Sequence, residues 1–321
     1  MPNIEFNPQS ELASAARKAA RLPSKKPYVP YIYGSDTVLA VRVALATERP
    51  LLLRGDPGCG KSTLARDVAL TLGYHFYEEV VTSRTRAPDL MWHFDAVSRL
   101  GDATAEPKHV KQIHRYLEPR ALWWAFDPEQ ARRRGYQPET KQPSLPFPEA
   151  ADPGWGFGSP TGAVVLIDEV DKAEPDVPND LLGPLGEGRF RTGEGSVAVT
   201  RQRNALVFIT SNGERDLPPA FLRRCIVLDL PRPDPAALLR IAQAHFPKVK
   251  RTLFDEVLAR MEVFGARADD LDVRAPGTAE FLDALRACIA LEVSGKHPDW
   301  EGVTRAAMWK HLAPVEEPHA G

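Results

Sequence analysis

One eight-residue stretch restricts the fold of this chain more than any other. Gly55-Asp56-Pro57-Gly58-Cys59-Gly60-Lys61-Ser62 fits the pattern G-x-x-x-x-G-K-[ST]. It follows the apolar run Leu51-Leu52-Leu53, which reads as a buried strand, and it opens Lys61–Thr71, which reads as a helix. Strand, glycine loop and helix in that order form the context in which this pattern binds phosphate. Glycine lets backbone N–H groups turn inward around an anion with no Cβ in the way, and the helix N-terminus adds its positive end. A chance glycine turn is the competing reading, and the flanking elements weigh against it. In such a loop Lys61 reaches the β- and γ-phosphates of a nucleotide and the Ser62 hydroxyl ligates Mg²⁺. The expected ligands are therefore a nucleoside triphosphate and magnesium. The expected binding set is Gly55, Asp56, Pro57, Gly58, Cys59, Gly60, Lys61, Ser62 and Thr63, with Cys59 as a spacer.

A second motif sits 107 residues beyond Lys61. Val164-Val165-Leu166-Ile167 is an unbroken apolar run ending in Asp168-Glu169. Continuous runs of this kind suit a parallel sheet covered on both faces. An acidic pair at a strand end is, taken alone, most often solvated. Downstream of a phosphate loop it acquires a function: Asp168 joins Ser62 in holding Mg²⁺, and Glu169 polarises the attacking water as a general base.

The rest of the chain is organised around these motifs. Residues 1–30 read as an arm with a short helix over Ser10–Leu22. A helix over Asp36–Glu48 follows, with Asp36 as its N-cap. His75–Thr82, Ala205–Thr210 and Ile226–Leu230 read as further strands, and Arg189–Thr200 as a hairpin turning at Gly193 and Gly195. Residues 83–160 read as insertions, partly helical near 117–134 and rich in Pro and Gly toward 160. Beyond 232 the pattern is helical: Asp234–Phe246, Thr252–Phe264, Thr278–Glu292 and Val303–His311. The expected fold is α/β, a three-layer αβα core with a parallel sheet over 31–232, then a small helical lid over 233–312 and a tail over 313–321.

Composition narrows the setting. Of 321 residues, 43% are hydrophobic and 26% charged, the balance of a soluble globular chain. The net charge of -2 supplies no overall field toward nucleic acid or acidic membranes. The three cysteines, Cys59, Cys225 and Cys288, lack metal-ligand spacing and predict a reduced, cytoplasmic protein. The eight histidines show no ligand spacing either. The first residues carry no apolar secretory segment, and no run approaches the roughly 18 apolar residues of a membrane span. The run Arg132-Arg133-Arg134 reads as a solvated face.

The order of the remaining motifs carries a resemblance. Asp168-Glu169 is followed by Val170-Asp171-Lys172-Ala173, then a strand ending Thr210-Ser211-Asn212, then Pro218-Pro219-Ala220-Phe221-Leu222-Arg223-Arg224-Cys225. Over about residues 31–290 the chain resembles AAA+ ATPases, and within them the MoxR-type branch. The resemblance implies ATP hydrolysis to ADP and phosphate, with nucleotide bound between two domains and the adjacent subunit of a homo-oligomeric ring, a hexamer by family expectation. It implies that Asn212 is sensor 1 and Arg224, accompanied by Arg223, the arginine finger that enters the neighbouring subunit's site. The sensor 2 position reads Ala275-Pro276-Gly277-Thr278-Ala279-Glu280-Phe281 without an arginine; Arg274, just upstream, is the substitute. The branch also implies chaperone-like remodelling of a partner, often with a von Willebrand factor A domain protein, and bacterial conflict-system ATPases carry a similar 210–224 stretch. The hairpin position matches one on the ring's central face. Trp123, Trp124 and Phe190 are either substrate contacts there or ordinary core, and core is the favoured reading.

Two other classes remain open from the sequence. The stretch Ser211-Asn212-Gly213-Glu214-Arg215-Asp216 loosely resembles McrB-like nucleic-acid motors, although no separate DNA-reading domain is evident. A nucleotide switch that assembles on ATP without cycling is the other, and Glu169, Asn212 and Arg224 argue against it.

Overall fold

A strand with no polar alternation is stable only when both its faces are covered, and the computed structural model shows how this chain covers them. It describes residues 6–10, 14, 31–105, 112–137, 144–147, 161–193 and 197–309. The expected helix Ser10–Leu22, most of the Pro/Gly-rich stretch 138–160 and the tail beyond 312 lie outside the described residues. The chain divides into two compact units: Met1–Gly55 with Lys61–Leu230, and Asp56–Gly60 with Pro231–Gly321.

The first unit holds the strands β1 (Leu51–Arg54), β2 (His75–Val80), β3 (Trp92–Phe94), β4 (Leu117–Pro119), β5 (Gly162–Asp168), β6 (Arg189–Arg191), β7 (Ala198–Thr200), β8 (Asn204–Ser211) and β9 (Ile226–Asp229). Five of them form a sheet in the order β2-β5-β8-β1-β9. Every neighbouring pair in it is parallel. Helices flank the sheet, giving the αβα core expected of a P-loop nucleotide-binding fold. The register puts Arg54 opposite Ser211, Ile167 opposite Ile209 and Val80 opposite Asp168, so β1, β2, β5 and β8 end along one edge. Parallel sheets place ligands outside such carboxyl ends.

Helix Ser35–Thr47 begins one residue earlier than expected. Its N-cap is Gly34, with no side-chain cap, and Asp36 lies in the first turn, where its charge complements the helix dipole. In the insertion, helices Ala121–Phe126 and Pro128–Arg132 pack beside the antiparallel pair β3–β4. Trp123 is fully buried, and Trp124 and Phe190 are nearly so. Trp92 stacks on Phe190 at 5.8 Å and Trp123 meets it edge-on at 6.3 Å. The indole N–H groups donate to Gln130 Oε1 and to the Pro119 carbonyl. These aromatics are core, and none of them offers a face to a substrate. The arginine run is likewise not a solvated face. Arg132 lies over the Phe147 ring and donates to the Leu145 carbonyl, Arg133 pairs with Glu129, and Arg134 donates to the Arg115 carbonyl. The hairpin β6–β7 is present with Arg189 opposite Thr200.

In the second unit, helices Pro235–His245, Arg251–Asp270, Thr278–Ala290 and Trp300–Met308 share a core built on Phe254, Phe264, Phe281, Leu285 and Met308. The second of them runs past the expected Phe264 because Ala268 continues its buried stripe. Asp234 caps the first, accepting from the Ala237 N–H. Among the described residues no helix is long and apolar enough to cross a membrane.

Burial, assisted by Arg286, pulls the His245 imidazole down to about 4. A histidine held neutral when folded takes up a proton on unfolding, so the unfolded state binds more protons between pH about 4 and about 6.5. Stability should therefore rise with pH across that window and level off above it. Thermal melts of wild type and His245→Gln from pH 4 to 8 check this: the variant should show the flatter slope.

Candidate active site

Lys61 and Ser62 follow β1, Asp168 closes β5 with Glu169 directly after it, and Asn212 follows β8. The phosphate loop leaves β1 at Gly55, and Gly58 and Gly60 take the left-handed backbone at φ 79° and 100°. A Cβ on Gly58 would stand 3.0 Å from that of Ala279. The loop tip belongs to the second unit and is held there. Asp56 pairs with Arg232 at 2.5 Å, and Arg274 donates to the Pro57 carbonyl at 2.6 Å. Arg274 also lies 3.6 Å from the buried carboxylate of Glu280, whose other oxygen accepts the Gly277 N–H. Asp56, Pro57 and Cys59 line one cavity with Leu238, Leu258, Met261, Arg274 and Pro276, a mostly apolar hollow.

In the first unit the chain resumes at Lys61, which is buried. Its ammonium donates to the Gly55 carbonyl at 2.6 Å and to Asn212 Oδ1 at 2.7 Å. Ser62 Oγ lies 3.1 and 3.3 Å from the two oxygens of Asp168. A hydroxyl and a carboxylate side by side are a hard-oxygen donor set that fits Mg²⁺, which needs few protein ligands beside phosphate and water. Thr63 is exposed on the first helical turn. Nearby on β2, burial pushes the Glu78 carboxyl above its usual range, against the opposing effect of Arg66 at 2.8 Å.

Glu169 is the strained residue of the site. It adopts φ 62° and ψ 49°, uncommon for a residue with a Cβ. Three contacts impose that turn. Its N–H donates to Thr210 Oγ1 at 2.8 Å, Lys172 Nζ reaches its Oε2 at 2.7 Å, and Asn212 Nδ2 reaches its Oε1 at 3.1 Å. Thr210 in turn donates to Asp168 Oδ1 at 2.5 Å. The hydrogen bond to Glu169 holds the Lys172 ammonium above the usual lysine range. A continuous chain thus runs Lys61–Asn212–Glu169–Lys172. Asp171, buried beneath it, accepts the backbone N–H groups of Asn212 and Glu214 at 3.0 and 2.9 Å.

Lys61, Ser62, Asp168, Glu169 and Asn212 are therefore brought together. Arg223 and Arg224 are not: both are exposed on the turn after helix Pro219–Leu222, and among the described residues neither guanidinium bonds to that cluster. Three members of the cluster carried no role in the sequence reading: Thr210, Asp171 and Lys172. Their sequence signal was membership of the stretches Val170–Ala173 and Thr210–Asn212, which carry the resemblance without assigning these three a task.

The sequence profile of the AAA domain, dynein-related subfamily, matches residues 50–225, more than half of the chain. This chain belongs to that family. The match spans the phosphate loop, β5, β8 and the Arg223–Arg224 turn. A 50-residue segment, 16% of the chain, is 48% identical to the chaperone protein ClpB of Vibrio vulnificus and of Vibrio cholerae, and it spans 6% of the length of those proteins. Among solved structures, a RuvB mutant from Thermotoga maritima is 14% identical with a TM-score of 0.46, over 86% of this chain and 70% of that one. A Cytophaga hutchinsonii protein assigned as an ATPase is 14% identical with a TM-score of 0.42, over 86% and 82%.

The cysteines provide a probe of the AAA phosphate loop. Burial pushes the Cys225 thiol up to about 12 and the Cys288 thiol up to about 11, so neither forms the reactive thiolate near neutral pH. Cys59 is half-buried in the loop. Brief maleimide treatment of the native protein should add one label per chain, at Cys59, and ATP with Mg²⁺ should suppress it. Peptide mass mapping reads the site; labelling at Cys225 or Cys288 ahead of Cys59 would contradict the expectation.

Proposed function

We propose that this AAA protein is a MoxR-type ATPase, works as a homo-oligomeric ring and couples ATP hydrolysis to remodelling of a partner protein. One observation carries the reading: a phosphate-loop lysine, a hydroxyl–carboxylate pair, a carboxylate base and an amide stand in bonded sequence along one sheet edge.

Each residue then has a task. Lys61 binds the β- and γ-phosphates, exchanging two neutral oxygen acceptors for charged ones. Ser62 and Asp168 would hold Mg²⁺, whose charge supplies electrostatic stabilisation of the phosphates. Glu169 takes the proton from the attacking water, and Asn212 orients that water or the γ-phosphate. Arg274, on the loop's Pro57 carbonyl, serves where the family's sensor 2 arginine is missing from its usual place. Arg224, with Arg223 beside it, completes a neighbour's site. A von Willebrand factor A domain protein is the partner class the MoxR reading favours.

The test is ATP turnover per subunit against protein concentration, with Mg²⁺ present and Lys61→Ala as blank. A steep rise supports a shared site in a ring. Turnover independent of concentration would sink the ring reading, and turnover no higher than the blank would sink the ATPase reading. Stimulation by DNA would move the assignment to a nucleic-acid motor.

A further inference from the structure

Among the described residues, one side chain takes three consecutive carbonyls of the turn that presents Arg224. Helix Pro219–Leu222 is one turn long, and the N–H groups of Arg223, Arg224 and Cys225 are spent on its carbonyls at 3.0 to 3.2 Å. The carbonyls of those same three residues are helix-end acceptors with no partner in the helix. All three are taken by Arg49. Its Nε donates to the Arg224 carbonyl at 3.1 Å, and its Nη2 to the Cys225 carbonyl at 3.0 Å and to the Arg223 carbonyl. The next residue continues the clamp: the Pro50 carbonyl accepts the Ile226 N–H at 2.8 Å, and the β1–β9 register starts from there.

Arg49 is itself fixed from the other side. The preceding Glu48 ends helix Ser35–Thr47 in the left-handed conformation, and its carboxylate pairs with Arg201. The Arg201 N–H donates to the Gly188 carbonyl at the base of the β6–β7 hairpin. Above this anchorage the Arg224 side chain is exposed, with no hydrogen bond or ion pair among the described residues. The peptide planes under Arg224 are anchored while its guanidinium has no partner among the described residues. An anchored backbone beneath such an exposed guanidinium fits a group presented to something outside.

We propose that Arg49 is the positioning residue for Arg224: by binding three consecutive carbonyls it fixes the direction in which Arg224 enters the neighbouring subunit's nucleotide site. The proposal rests on the ring reading above. A guanidinium is required because its planar fork donates along several fixed directions at once, whereas a lysine ammonium is a point charge on a flexible stem.

The test compares Arg49→Ala, Arg49→Lys, Arg224→Ala and the Arg49→Ala/Arg224→Ala double variant by kcat, KM and the affinity for a fluorescent ATP analogue. Loss of the finger should cost about 10³-fold in kcat. Arg49→Ala should cost roughly 10²-fold, the effect of a misplacement of about 1 Å, with KM and analogue affinity little changed. Arg49→Lys should fall between wild type and Arg49→Ala, and it keeps the test alive if the alanine variant fails to fold. The double variant should match Arg224→Ala alone. A mixing experiment separates positioning from damage to the variant's own site. Added Glu169→Gln subunits hydrolyse slowly themselves but carry intact Arg49 and Arg224, so, with their own residual rate subtracted, they should raise turnover per Arg49→Ala subunit. Full activity in Arg224→Ala would remove the finger reading and this proposal with it. Loss in Arg224→Ala with normal kcat in Arg49→Ala would overturn the proposal and leave the finger reading standing. So would a double variant well below Arg224→Ala, or a lack of rescue on mixing, since Arg49 would then act by another route.

Discussion

Glu169→Gln is expected to bind ATP about as well as wild type and to hydrolyse it roughly 10²- to 10⁴-fold more slowly, the range for removal of a general base. The substitution preserves volume and the planar head group. It leaves Lys61 and the Ser62–Asp168 pair untouched, so phosphate and magnesium binding should persist. What it removes is the carboxylate of the cluster whose hydrogen bonds run to neither the Ser62 hydroxyl nor a backbone N–H. Both Glu169 oxygens are occupied as the structure stands, one by Lys172 and one by Asn212. At least one of these contacts must loosen before water can be polarised. Lys172→Met should therefore alter turnover without copying the glutamine variant, because the base itself remains. Single-turnover hydrolysis and equilibrium nucleotide binding, measured on the same preparations, decide the matter. Turnover within a few-fold of wild type in Glu169→Gln would show that the proton leaves by another route.

What the sequence disclosed and what it withheld divide along a physical line. The phosphate loop was legible because its chemistry requires a fixed local pattern: glycines for the backbone turn, a lysine and a hydroxyl at set offsets. The sheet was legible for a similar reason, since runs such as Val164–Ile167 have no solvent face and must be covered twice. Asn212 was readable only through the order of motifs, because an amide before a glycine looks like any turn. Its bonds to Lys61 and Glu169 depend on the alignment of β1, β5 and β8, which no local stretch encodes. Lys172 and Thr210 stood in quoted motifs, but their roles were hidden for the same reason. The Arg132-Arg133-Arg134 run was misread because charge alone does not reveal a ring, a carboxylate or a carbonyl within reach; each of these guanidiniums found one. Arg49 was invisible altogether, since its three acceptors lie far along the chain and are backbone atoms.

The largest effect on stability should come from a residue that does no chemistry. Asp171 is buried, and one of its oxygens accepts the N–H groups of both Asn212 and Glu214. Its other oxygen has no hydrogen-bond partner among the described residues, an arrangement retained despite its cost. This carboxylate fastens the strained turn after β5 to the end of β8, helped by Arg215, which donates to the Ala173 carbonyl at 3.1 Å. Asp171→Ala would leave two buried N–H donors without an acceptor. A hydrogen bond to a charged group contributes about 1.5–3 kcal/mol, so the loss should be about 3 kcal/mol once non-additivity is allowed for. At roughly 2–4 °C per kcal/mol for a unit of this size, the melting temperature should fall by about 6–12 °C. The consequence for activity follows from geometry. With its backbone released, Asn212 no longer holds its amide between Lys61 and Glu169, so turnover should fall by about 10²-fold even at temperatures where the variant stays folded. Asp171→Asn keeps an oxygen acceptor for the two N–H groups but loses the charge, and it should lie between the two in both measurements. If Asp171→Ala melted with wild type yet turned over slowly, Asp171 would belong to the chemistry. If it melted early yet turned over normally, the position of Asn212 would be fixed by Lys61 and Glu169 alone.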